Sequence, residues 1–155
     1  MDLPRTYASE VSPSTVGATT ARPIARSVAV PGTARQQDAV LAAYRFLDAF
    51  NERDPDALAA LVTEDVEIRT SDGRVWPGVD GARALLDAAR ENKLRLIPLH
   101  RHEHAEDHDG EVRVELWVRE VLEDADVPRI ADFVVRDGDV ASFAMRDAPF
   151  EPGLA

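Results

Sequence analysis

Hydrophobic and polar residues alternate along most of this 155-residue chain with periods that predict a short list of elements. Over Gln36–Asn51, Val40, Ala43, Tyr44, Leu47 and Phe50 recur at spacings of three and four, with Arg45, Asp48 and Glu52 opposite. That is an amphipathic helix. Asn51-Glu52-Arg53 breaks it, and Asp54-Pro55-Asp56 restarts a short helix over Ala57–Leu61, with Asp54 as N-cap and Pro55 at the first helical position. Val66, Ile68 and Thr70 alternate with Glu67 and Arg69, predicting a half-buried strand. Ser71-Asp72-Gly73 is a turn into a short strand, Arg74-Val75-Trp76, which Pro77-Gly78 closes. Residues 79–91 form a third helix through Val79, Ala82, Leu85, Leu86 and Ala89. Four longer strands follow, over Leu94–Ala105, Glu111–Leu122, Arg129–Val135 and Val140–Arg146. Helices come first and a meander last, so the expected class is α+β, a curved antiparallel sheet wrapped on three helices.

The two ends lack such periods. Residues 1–35 carry Pro4, Pro13, Pro23 and Pro31, many Ser and Thr, and one aromatic, Tyr7. Such a stretch cannot bury enough apolar surface to offset its ordering entropy, so it is expected to be a disordered leader. The apolar run Ile24–Val30 is interrupted by Arg26 and Ser27, against a secretory signal. The domain is expected over 36–147, followed by a loose tail, 148–155.

Charge narrows the function. The net charge is −11, with 29 acidic against 18 basic residues, which repels phosphate backbones and anionic lipid. Neither a nucleic acid nor a membrane is an expected partner, and a cytoplasmic location is expected. Cysteine is absent, which removes disulfides, thiol nucleophiles and Cys-based zinc sites.

The chain resembles the nuclear transport factor 2-like superfamily in its SnoaL-like branch. The resemblance rests on Tyr44 to Asp54, Ala57 to Leu61, Thr63-Glu64-Asp65-Val66, Trp76 to Gly81, and Asp132 to Val140, taken in that order and spacing. It implies a cone of helices and curved sheet with an apolar interior pocket. The superfamily includes ketosteroid isomerases, polyketide cyclases, epoxide hydrolases, dehydratases and members without enzyme activity, so fold does not give function.

Period-two alternation sorts side chains on this cone. Val112, Val114, Leu116 and Val118 are expected inward, and Arg113, Glu115, Trp117 and Arg119 outward. Trp117 with Arg113 and Arg119 is an expected homodimer anchor on the convex sheet face. Trp76, Phe143 and Met145, with Val112, Val114 and Leu116, are the expected ligand-lining residues.

Asp132 stands in Ile130-Ala131-Asp132-Phe133-Val134-Val135. A carboxyl in an apolar wall must be neutral or paired. By resemblance Asp132 matches the protonated acid of ketosteroid isomerases; an Asp holding an Arg, or facing solvent, fits the sequence too. The isomerase pattern also implies a carboxylate base at the first strand's end and a Tyr on the first helix. Thr70 occupies the first position, and Tyr44 lies two residues from the second, where Phe46 falls. Asp72 belongs to a turn. The epoxide-hydrolase pattern implies two carboxylates with an Arg between them, and Ile130 stands where an Arg two residues before Asp132 would be.

His100, His102 and His104 alternate along one expected strand, so their rings share a side; two neighbours in such a row can share one ion, but all three span about 13 Å and do not easily meet one. No metal site is assigned to them. His100 is the expected proton shuttle. The resulting expectation is cofactor-free acid/base chemistry by Asp132, His100 and Tyr44 on a small apolar carbonyl or polyketide-like compound. The alternative is a non-catalytic ligand-binding or dimerisation module.

Overall fold

The computed structural model describes residues 32–100 and 102–149. Residues 1–31, most of the expected leader, and 150–155, most of the expected tail, lie outside the described residues.

Helix α1 (Ala34–Glu52) starts where Thr33 Oγ1 accepts from the Gln36 N–H at 3.1 Å and Gln36 Oε1 accepts from the Thr33 N–H at 3.3 Å. This capping box satisfies two otherwise orphaned donors. Helix α1 buries Val40, Ala43, Phe46, Leu47 and Phe50 and ends at Arg53, in the left-handed region with φ 58°. Helix α2 (Pro55–Ala60) is capped by Asp54, whose Oδ1 accepts from the Ala57 N–H at 3.0 Å. Strand β1 (Val62–Arg69) turns at Thr70–Arg74 into β2 (Val75–Pro77), and α3 (Gly78–Asn92) follows.

The remaining strands are β3 (Arg95–Pro98), β4 (His104–His108), β5 (Glu111–Val121), β6 (Asp126–Arg136) and β7 (Asp139–Asp147). Together the seven strands form one sheet in the order β2-β1-β7-β6-β5-β3, with β4 also on β5. The sheet is mixed, because β1 runs parallel to β7 while every other pairing is antiparallel.

The long strand expected over Leu94–Ala105 is two strands. His100 (φ 55°) and His102 (φ 58°) take left-handed backbone, which a continuous strand cannot contain. The segment between β3 and β4 folds over the edge of β5, where the Leu99 N–H donates to the Trp117 carbonyl at 2.9 Å. The shared face expected for His100, His102 and His104 therefore does not exist.

The space between helices and sheet is filled. Phe46 of α1 meets Phe143 at 4.9 Å and Phe133 at 5.6 Å between ring centroids, and Phe133 meets Phe143 at 5.0 Å. All three rings are almost completely buried. The expected open apolar interior is thus packed core over this depth, because α1 drives its largest side chains into the concave sheet face.

Candidate functional site

The inward face of β5 runs Val112, Val114, Leu116, Val118 and then Glu120. Glu120 is the one charged residue buried among the described residues, at 7% exposure. On the neighbouring strand, Arg129 continues the inward face of Ala131, Phe133 and Val135. The register sets Arg129 opposite Val118 and Asp147. Arg129 Nε donates to Glu120 Oε1 at 2.9 Å, and its Nη1 donates to Asp147 Oδ1. The β1–β2 turn closes over this pair, and Ser71 Oγ donates to Glu120 Oε2 at 2.9 Å.

The turn is itself tied down. Thr70 Oγ1 donates to Asp72 Oδ1 at 2.6 Å and accepts from the Trp76 indole N–H at 3.3 Å. The hydrogen bond from Thr70, helped by the Arg74 backbone N–H at 3.0 Å, holds the Asp72 carboxyl below the usual carboxylate range. The indole plane is fixed by that bond and by α3, which starts immediately after β2. A cavity of about 270 Å³ opens beside this pair, with the β1–β2 turn and α3 as the rim of its mouth. Its polar lining includes Glu120, Arg129, Ser71, Thr70, Asp72 and Arg74, and its apolar lining includes Trp76, Leu85, Ala89, Leu94 and Leu122.

Asp132 is elsewhere. It pairs across the sheet with Glu115 and Ala144, on the face away from the helices. Arg146 Nε donates to Asp132 Oδ2 at 2.6 Å, and Arg146 Nη2 to Glu115 Oε2 at 2.5 Å. This corrects the expectation of a carboxyl in an apolar pocket wall. Ile130 and Val134 made the strand look apolar on both sides, but its inward set is Ala131, Phe133 and Val135.

Tyr44 and His100 do come together. Their rings stack at 5.1 Å and 8°, beside the β3–β4 segment, where Tyr44 Oη donates to Glu103. Burial raises the Glu103 pKa. This cluster and Asp132 have separate partners, so the three expected catalytic residues do not form one site. Val112, Val114, Leu116, Phe143 and Met145, expected to line a ligand, are core residues of 6% exposure or less. Trp76, by contrast, lines the mouth cavity.

Trp117 lies on the expected outer face but is 7% exposed, because His102 covers it with ring centroids 4.9 Å apart. It is therefore not the exposed anchor the alternation implied. No group of three or more metal-ligating side chains occurs among the described residues. No described helix is long and apolar enough to cross a membrane.

A model of the SnoaL-like domain matches residues 43–143, more than half of the chain. Among curated proteins none matches. Solved structures share the fold. A candidate polyketide cyclase from Xanthomonas campestris pv. campestris has a TM-score of 0.56 at 23% identity, covering 74% of this chain and 93% of that one. A candidate polyketide cyclase from Sinorhizobium meliloti has a TM-score of 0.53 at 19% identity, covering 67% and 92%. A Nostoc punctiforme protein of unknown function with a cystatin-like fold has a TM-score of 0.61 at 16% identity, covering 79% and 98%.

Proposed function

The chain belongs to the SnoaL-like domain family, and from that premise we propose that it binds a small, mostly apolar carbonyl compound in the mouth cavity and moves a proton on it. The observation that carries this reading is the buried Glu120 carboxylate at the wall of a cavity, held between Arg129 and Ser71. An ionised carboxylate has about four lone-pair sites. Two are used by Arg129 and Ser71, which leaves acceptor capacity for a substrate proton. Arg129 engages Glu120 and Asp147 through Nε and Nη1. Its Nη2 makes no hydrogen bond to a described residue and is a donor for an oxyanion formed as the proton leaves. Glu120 is thus the proton acceptor that Thr70 is not, supplied from a different strand.

The test uses 5-nitrobenzisoxazole, whose ring opens to a coloured phenolate when a base removes one carbon-bound proton and the N–O bond breaks. The unaltered chain is expected to accelerate the opening, and Glu120→Gln to slow it at least about 100-fold, as for loss of a general base. Arg129→Gln should also slow it. A Glu120→Gln variant with unchanged rate sinks the reading.

A second reading concerns assembly. Arg146 holds both Glu115 and Asp132 on the outer sheet face, beside a groove of about 450 Å³ that His104, Glu106 and Arg113 also line. Interspersed charges of both signs suit a two-fold contact in which Arg113 of one copy meets the carboxylates of another. We propose a homodimer through this face, centred on the groove rather than on Trp117. Arg119 is engaged by Asp126, its Nε donating to Oδ1 at 3.0 Å. Sedimentation of the chain and of Arg113→Glu tests this, and a monomer at micromolar concentration refutes it.

A further inference from the structure

We propose that the mouth cavity takes a ligand carrying an alkylammonium group, and that the Arg74 guanidinium occupies the place of that group in the free protein. The proposal rests on the reading of the cavity as a ligand site and adds the chemistry of one end of the ligand.

The Arg74 guanidinium carbon lies 4.1 Å from the centroid of the Trp76 ring. Cations are attracted to an indole face within about 6 Å, and Trp is the strongest such partner. Both residues line the cavity. The indole is preorganised, because its N–H is already spent on Thr70 Oγ1. Arg74 is the replaceable member of the pair. Its side chain makes no ion pair or hydrogen bond with another described residue, and the residue is exposed.

The charges around it favour a cation as the replacement. Asp72 and Glu120 line the cavity with Arg129, and Arg129 is committed to Glu120 and, outside the cavity, to Asp147. Once Arg74 swings into solvent, two carboxylates face one guanidinium that is already paired. A neutral ligand would leave that excess uncompensated, and an anion would add to it. An ammonium group on the indole face restores the balance beside Asp72. The apolar remainder then lies on Leu85, Ala89 and Leu94, and its carbonyl oxygen reaches towards Arg129. The chain's net charge of −11 steers such a cation inward over longer distances.

The probes are choline and its uncharged isostere 3,3-dimethylbutan-1-ol, which share a shape and differ in charge. Each gives one sharp proton singlet, whose broadening by the full chain reports binding. Choline is expected to bind at least tenfold more tightly than the isostere. Arg74→Ala, a change at an exposed side chain, is expected to tighten choline several-fold and leave the isostere unchanged. Asp72→Asn is expected to weaken choline alone. Equal binding of the two probes overturns the ammonium proposal while leaving the cavity reading standing. Weaker choline binding in Arg74→Ala also overturns it, since Arg74 would then be a contact and not a placeholder. Failure of choline to bind overturns it as well, whereas the Glu120 reading is decided separately by the ring-opening rate.

Discussion

Replacing Arg129 by Met isolates the interaction on which the mouth depends. The methionine keeps much of the aliphatic stem and removes the guanidinium, leaving Glu120 with the Ser71 hydroxyl as its partner. The Glu120 side chain is 9% exposed and that of Arg129 is 20% exposed. Breaking a fully buried pair costs about 3–5 kcal/mol, while an exposed pair is worth about 0–1 kcal/mol. One-fifth exposure of the guanidinium places the cost nearer the buried case, at about 2–3 kcal/mol. The bond to Asp147 adds little, because that side chain is 88% exposed. With a urea slope of about 1.5 kcal/mol/M, the unfolding midpoint should fall by about 1.5 M at unchanged slope. Removing both charges, in Glu120→Leu with Arg129→Met, should recover most of the loss, since no uncompensated charge then remains. Circular dichroism through a urea series measures all three chains. A fall below about 0.3 M for Arg129→Met would show a solvated pair and refute a buried charge at Glu120.

Two further predictions concern the supports of the mouth and the neighbouring cluster. At Gly81 a Cβ would lie 2.5 Å from the Trp76 carbonyl carbon and 2.9 Å from its oxygen, so Gly81→Ala must displace backbone. It should cost about 1–3 kcal/mol despite the better helix propensity of Ala, and alter the near-ultraviolet signal of Trp76; an equally stable variant refutes the close packing. Burial holds the Glu103 pKa above its unfolded value of about 4.3, so the native state binds more protons in that window. Stability from this group is therefore full below about pH 4.3 and lost as pH rises through the higher folded value. Glu103→Gln, which can still accept from Tyr44, should lack that fall, and parallel urea midpoints for the two chains across about pH 4–7 would refute it.

The helices were legible because their signals are local. Asp54-Pro55 at a helix start, and apolar residues three and four apart, need no knowledge of the partner element. The break after β3 had one local sign, Pro98, which has no N–H to give to a ladder and which ends that strand, but nothing in the sequence marked the two left-handed residues that follow. The left-handed His100 and His102 are imposed by the edge of β5 and by the Trp117 ring that the segment covers. The parallel pairing of β1 with β7 is likewise set by the ends of the chain's order, which no local period records.

The candidate site was hidden for a different reason. Period two sorts a strand into faces, but only cross-strand register says which faces belong together. Asp132 appeared to interrupt an apolar strand, yet its register partner is Glu115, already assigned outward with Trp117 and Arg119. Carried to the strand ends, the same alternation leads from Val118 to Glu120 and from Ala131 back to Arg129. A charged residue that prolongs an apolar face is where a core stops and a pocket begins. Its charge has to be met by a neighbour on the same face, and each of these two residues is the other's partner. An arginine between two carboxylates therefore occurs on both faces of the sheet, Arg146 between Asp132 and Glu115 on the outer face and Arg129 between Glu120 and Asp147 on the inner one, and the second of these adjoins the cavity that Trp76 lines.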